Sequence, residues 1–84
     1  MSVARPDLLQ TTGYIVADSD GRVVGRVEGP MYGSEPDVPD ALAVRSGFLS
    51  RRRRLVPADA IEAIDSRLGV IGLSVGRDAV LSFL

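Results

Sequence analysis

Hydrophobic and polar positions alternate most clearly between Gly13 and Gly29, GYIVADSDGRVVGRVEG. Tyr14, Ile15 and Val16 form a short apolar run, Asp18-Ser19-Asp20-Gly21 supplies turn residues, and Arg22 to Glu28 alternates by type. That pattern predicts a β-hairpin. Its loop closes on Asp20-Gly21, where glycine accepts the positive φ that a side chain resists. In the second strand Val23, Gly25 and Val27 share one face and Arg22, Val24, Arg26 and Glu28 the other, so Val23 and Val27 are expected in the core. Gly29 and Pro30 let the strand bend and run on toward Met31 and Tyr32.

Further along, Gly33 to Asp40, GSEPDVPD, combines prolines, a glycine and acids and predicts a loop. Ala41 to Arg45 alternates again, with Leu42 and Val44 on one face, and predicts a third strand. Ser46-Gly47 signals a turn beside Phe48 and Leu49. Arg51 to Val56 predicts a fourth strand ended by Pro57, which cannot donate to a ladder. Pro57 to Gly69, PADAIEAIDSRLG, admits two readings. Ile61, Ile64 and Leu68 at helical spacing, early acids, a late Arg67 and Gly69 as a C-terminal stop favour a helix. A strand from Ile61 to Asp65 with a turn at Ser66 to Gly69 is the alternative. Val70 to Val75 has the length and β-branching of a buried strand, and Ser74 is placed to cap a short helix through Ala79, Val80 and Phe83. Met1 to Thr12 has no sustained period and is expected to be an arm (residues 1–12), with Leu8 and Leu9 docking on the edge of a single domain at 13–84.

Composition narrows the chemistry more than it names it. At 84 residues, a chain buries only about 60 to 65 per cent of its unfolded surface, so one small core is expected. Hydrophobic residues at 45% and charged residues at 25% are ordinary globular values, which argue against disorder. The chain has no cysteine and no histidine, which removes disulfides, thiolate chemistry, the usual zinc ligands and any Ser-His or Cys-His nucleophilic pair. All ten basic residues are arginine, so lysine Schiff-base chemistry is absent too. No cofactor is implied. The longest uncharged internal run, Leu68 to Gly76, is far short of the roughly 20 residues that span a bilayer, and Met1 to Thr12 lacks the apolar segment of a signal peptide. A cytoplasmic protein without membrane insertion is the expectation.

GYIVADSDGRVVGRV, a short strand after a loop, RRRRLVPADAIEAID and a final GVIGLSV together resemble the PRC-barrel domain. That domain occurs in the cytoplasmic part of the photosynthetic reaction-centre H subunit and in a bacterial ribosome-maturation factor. The resemblance covers roughly Thr12 to Val80. Its most specific pieces are the Asp20-Gly21 turn followed by Val24-Gly25-Arg26-Val27, and Leu55-Val56-Pro57 followed by Ile61. It implies a mainly β fold, a small SH3-like barrel of about five or six strands with a short C-terminal helix or turn. It also implies that Leu55 to Pro57 ends a strand, that a single turn follows, and that Ile61 to Asp65 is a strand. Without a transmembrane segment or a second N-terminal barrel in this sequence, neither the H-subunit role nor ribosome assembly carries over. The family mainly binds partners, and no catalytic residue set transfers.

Arg51, Arg52, Arg53 and Arg54 form the sharpest local feature. On an extended strand alternate guanidiniums point to opposite faces, so one pair must be solvated or neutralised on the nominal core side. One reading is an exposed edge whose arginines pair with Glu35, Asp37 or Asp40 and block edge-to-edge aggregation. The other is a contact for phosphate or an acidic protein, which the planar arginine fork suits. Nucleic acid is not favoured, because aromatics are 5% of the chain and the net charge is −1. Asp18, Asp20 and Glu28 invite a calcium reading, but Gly21 and Gly29 sit at the wrong places for an EF-hand and a turn explains the acids better. Gly69, Gly72 and Gly76 lack dinucleotide-binding spacing and are attributed to close strand packing. Tyr14, Tyr32, Phe48 and Phe83 are expected to fill core or interface. The sequence thus leads to a non-catalytic binding or scaffold module that makes protein–protein contacts and forms a homodimer. The alternative is an RNA- or ribosome-associated factor using the Arg51 to Arg54 run, and an enzyme acting through carboxylates alone is disfavoured.

Overall fold

The structure, a computed structural model, describes residues 8–32, 39–46 and 53–82. Seven strands, β1 (Ile15–Ala17), β2 (Val23–Tyr32), β3 (Pro39–Arg45), β4 (Arg53–Pro57), β5 (Ile61–Asp65), β6 (Val70–Leu73) and β7 (Leu81–Ser82), make one sheet in the order β5-β6-β1-β2-β3-β4-β7. β1 runs parallel to β6, and every other neighbouring pair is antiparallel. The fold is mainly β, as expected, with one or two strands more than anticipated.

A short connection forces this sheet to roll. β4 and β5 lie five places apart in the strand order, about 24 Å across a flat sheet. Only Ala58–Ala60 separate them, and four extended steps reach at most about 14 Å. The wall therefore curls until β4 and β5 approach each other. Inside it lie Leu8, Val16, Val24, Val27, Leu42, Val44, Val56, Ile71, Leu73 and Val80. Leu42 and Val44 are wholly buried, as the alternation in Ala41 to Arg45 requires.

The first hairpin forms where expected, with Gly21 at φ 80°. Its second strand carries a correction. β1 pairs Val16 with Gly25 and Ala17 with Val23, so Val24 is an extra residue in a β-bulge. The bulge breaks strict alternation: Val24 turns into the core, while Val23 is 60% exposed. Val27 is buried as anticipated. The third strand begins at Pro39, within the expected 33–40 loop, and the fourth ends at Pro57 as anticipated, with Pro57 its last residue. The expected turn and bulk at 47–49 lie outside the described residues.

Pro57 to Gly69 is no helix. A 3-10 turn at Ala58–Ala60 leads into β5, and Ser66 to Gly69 make the turn to β6. The reason is a second bulge. Glu62 is the extra residue between the Ile61–Leu73 and Ala63–Gly72 pairs, so Ile61 and Ile64 both pack on the core from a strand despite helical spacing. Leu68, the third residue of the apparent helical stripe, is 75% exposed. Hydrogen bonding along β6 overrides local propensity here.

The expected C-terminal helix is also replaced, by a 3-10 turn at Arg77–Ala79 and by β7. Ser74 caps nothing. Its backbone N–H (2.8 Å) and its Oγ (3.3 Å) both donate to the Ala60 carbonyl, tying the end of β6 to the turn before β5. Leu8 is 2% exposed and packs into the core from its own 3-10 turn, Leu8–Gln10, whereas Leu9 is 56% exposed.

The glycine under steric pressure is Gly25. A Cβ there would land on the carbonyl of Arg45, where the end of β3 crosses it. Close packing does not explain the three later glycines. Gly69 takes φ 68° in the β5–β6 turn, Gly72 has its nearest neighbour at 4.0 Å, and Gly76 faces open space.

Candidate functional site

The inward face of this wall is filled mainly by aliphatic side chains, so the described residues offer a partner chiefly its outside. Directly paired residues of adjacent strands project to the same side. The register places Asp65 opposite Val70, Val70 beside Ile15, Ile15 opposite Arg26, Arg26 opposite Arg45 and Arg45 opposite Arg53. Their strand neighbours Ile71, Val16, Val27 and Val44 are buried. The six named residues therefore form one outward row across β5, β6, β1, β2, β3 and β4.

At the β2–β3–β4 end the row is three guanidiniums side by side. Like charges directly opposite each other repel, and Glu28 compensates. It is the extra residue of a third bulge, between the Val27–Val44 and Gly29–Ala43 pairs. From there its Oε2 lies 2.9 Å from Arg45 Nη2 and its Oε1 2.8 Å from Arg53 Nε. Arg26 Nη1 donates to the Gly13 carbonyl at 3.0 Å. One carboxylate thus holds two arginines in place, and in this row of described residues three positive charges face one negative.

Sequence reasoning located this end only in part. Arg53 belongs to the outward row. Arg54 pairs with Val44 and Ser82 and points to the core side, where its Nη1 donates to the Val80 carbonyl over a long 3.4 Å. Its Nε is buried and, among the described residues, lacks a partner. Arg51 and Arg52 lie outside the described residues, as do Glu35 and Asp37. Among the described residues the acid that pairs with Arg53 is Glu28, which the sequence reading had not matched to it. Arg26 and Arg45 went unnoticed as site residues, and Glu28 was weighed only as a calcium ligand, because they are scattered in sequence and assembled by cross-strand register. The signal available was a charge at the same relative position in two strands.

At the other end the outward face is apolar. Beside Val70 and Ile15, a second row reads Ala63, Gly72, Ala17 and Val23. Ala63 and Val23 are exposed, while Ile15, Ala17, Val70 and Gly72 are partly exposed.

Asp18 serves the fold. Its Oδ1 accepts from the backbone N–H of Asp20 (2.9 Å) and Arg22 (2.8 Å), and its Oδ2 from that of Arg77 (2.9 Å). Burial acts to raise its pKa, but the bonds from Arg22, Arg77 and Asp20, with the Arg22 charge, outweigh that and hold it below the ordinary 3.8. This is a turn carboxylate with its oxygens committed to backbone, and no group of acids able to hold a metal ion occurs among the described residues. No helix among them is long and apolar enough to cross a membrane. Tyr14 packs on the core and Tyr32 is 47% exposed, while Phe48 and Phe83 lie outside the described residues.

No protein-family model matches the chain, and no curated protein matches it.

Proposed function

We propose that this chain is a non-catalytic binding module of PRC-barrel type, which makes protein–protein contacts, and associates with itself, through the outside of its rolled sheet. The observation that carries the reading is the outward row, in which an apolar stretch lies between an acid and a line of ordered arginines. The order of elements supports the family assignment. A strand ends at Pro57, a single turn follows, and Ile61–Asp65 is a strand. Self-association suits so small a core, because burying one more apolar face adds stability by mass action. Sedimentation equilibrium on the purified chain tests this. A concentration-dependent dimer is expected, and a monomer throughout the high micromolar range counts against it.

The three adjacent guanidiniums favour a second reading, an RNA-associated factor in which they extend the Arg51 to Arg54 run. Binding through four phosphates would give a log-log salt slope of about −3 to −4. Unchanged mobility of a labelled RNA hairpin and single strand at low salt excludes it.

A further inference from the structure

From the cross-strand register we infer that the partner on the β5–β6–β1–β2 face is a second copy of this chain, docked about a two-fold axis parallel to the strands between β6 and β1. The inference rests on the self-association reading above and gives it a surface. Along the outward row the order across four strands is acid, apolar, apolar, base: Asp65, Val70, Ile15, Arg26. A two-fold rotation about a line between the middle two reverses that order in the facing copy. Val70 then meets the partner copy's Ile15, and Asp65 meets its Arg26. The next row obeys the same operator. Gly72 meets Ala17 of the other copy, and Ala63 meets its Val23.

An isologous interface demands such self-complementarity, with residue i on j and j on i. The face meets that demand in charge and in bulk. Its apolar centre is wholly uncharged, and its two flanks carry opposite signs, so the copies attract in this register. Slid by one strand, the copies lose the matched centre: one slip sets Val70 over the other copy's Arg26, and the opposite one sets Asp65 over its Ile15 and leaves Arg26 beyond its β5 edge. The small second row of alanine and glycine also lets two sheets approach to the roughly 10 Å of packed β-layers. The wall is convex, so contact is confined to the central strands and the dimer is a weak one, formed at micromolar concentrations.

The test combines sedimentation equilibrium with cross-linking. Ala17→Arg places a charge at the centre of the face and should abolish dimerisation. Arg26→Glu, which sets like charges against Asp65, should weaken it at least about tenfold. Tyr32→Ala, an exposed residue outside the face, should leave it unchanged. Urea midpoints establish that each variant is folded. The chain has no cysteine of its own, so Val23→Cys and Ala63→Cys proteins can be mixed with a short bis-maleimide. The mixture should give cross-linked dimer in clear excess over either variant alone. A wild-type dimer that persists in folded Ala17→Arg, or cross-links no better in the mixture, overturns this surface and leaves self-association standing. A wild-type monomer at every concentration overturns both.

Discussion

The carboxylate of Asp18 meets the backbone N–H of Arg77 at 2.9 Å, although the two residues stand 59 positions apart. One side chain thereby closes the first hairpin turn and anchors the last 3-10 turn. Asp18→Asn leaves a carbonyl oxygen at only one of the two positions and turns an amide N–H₂ toward a backbone donor at the other. A lower urea midpoint at pH 7 is expected, and Asp18→Ala should be lower still. The pH dependence follows from the depressed pKa. The unfolded carboxyl takes up its proton at a higher pH than the folded one, so the stabilisation is complete above the ordinary 3.8 and is lost as pH falls through the folded value. The gap between wild type and Asp18→Asn should therefore be widest near neutral pH and shrink on acidification below 3.8. A gap independent of pH would show that the charge on Asp18 is not what matters.

Gly25 and Gly29 sit in the same strand, yet alanine should be tolerated only at the second. At Gly25 the new Cβ strikes the Arg45 carbonyl, which is backbone and cannot swing aside, whereas at Gly29 nothing lies within 4 Å. Overpacking of this kind costs about 1–3 kcal/mol or more. Gly25→Ala should show that loss in chemical denaturation, and Gly29→Ala should stay within about 0.5 kcal/mol of wild type. Equal midpoints for the two variants would contradict the crossing of β3 over Gly25.

These two glycines also mark where the sequence was legible and where it was not. The Asp20-Gly21 turn, the alternation over Leu42 and Val44 and the apolar run after Gly69 could be read directly, because each is a local steric or periodic demand. The bulges could not. Val24, Glu28 and Glu62 each insert one residue into a ladder, and each changes which face its neighbours occupy. The insertion at Glu62 gave Ile61 and Ile64 the three-residue spacing of a helix, and that at Val24 exchanged Val23 for Val24 in the core. Bulges depend on the partner strand, so nothing within a short window of sequence encodes them. The outward row inherits that difficulty, since Arg26, Arg45 and Arg53 become neighbours only once the register is known.

Core and surface leucines should part company in the same experiment. Leu42 is fully buried and Leu68 is 75% exposed. Leu42→Ala removes buried methyl groups and leaves a cavity, at a cost of about 2–5 kcal/mol. A chain of this length has a total stability of about 4–13 kcal/mol, so the variant should show a clearly lower urea midpoint and melting temperature by circular dichroism. Leu68→Ala should be neutral within about 0.5 kcal/mol. A large loss at Leu68 would revive the helical reading of Pro57 to Gly69, in which that residue faces the core.

Glu28 tests whether the arginine line is organised or incidental. Its partners are roughly half exposed, so solvent screening limits what the pairs contribute. Glu28→Gln should cost less than about 1 kcal/mol, and the loss should shrink further in high salt. Removing Arg45 and Arg53 in the Glu28→Gln background should recover most of it, because the repulsion between the two guanidiniums goes with them. If the triple variant is no more stable than Glu28→Gln, cross-strand repulsion is not what Glu28 relieves.

Arg54 offers the opposite experiment, in which removing a charge should do no harm. Its place opposite the buried Val44 turns it toward the core side, its Nε is buried without a partner among the described residues, and its one bond, to the Val80 carbonyl, is long. A buried donor left unsatisfied costs about 1–3 kcal/mol, whereas an ordinary hydrogen bond returns only about 0.5–1.5. Arg54→Met keeps a long stem of similar packing and removes the orphan donor together with a guanidinium turned toward the core side. Its urea midpoint should equal or exceed that of wild type. Arg54→Ala should fall below Arg54→Met, because it gives up the packing of the stem as well. Destabilisation of Arg54→Met by more than about 1 kcal/mol would mean that the guanidinium is fully bonded in solution.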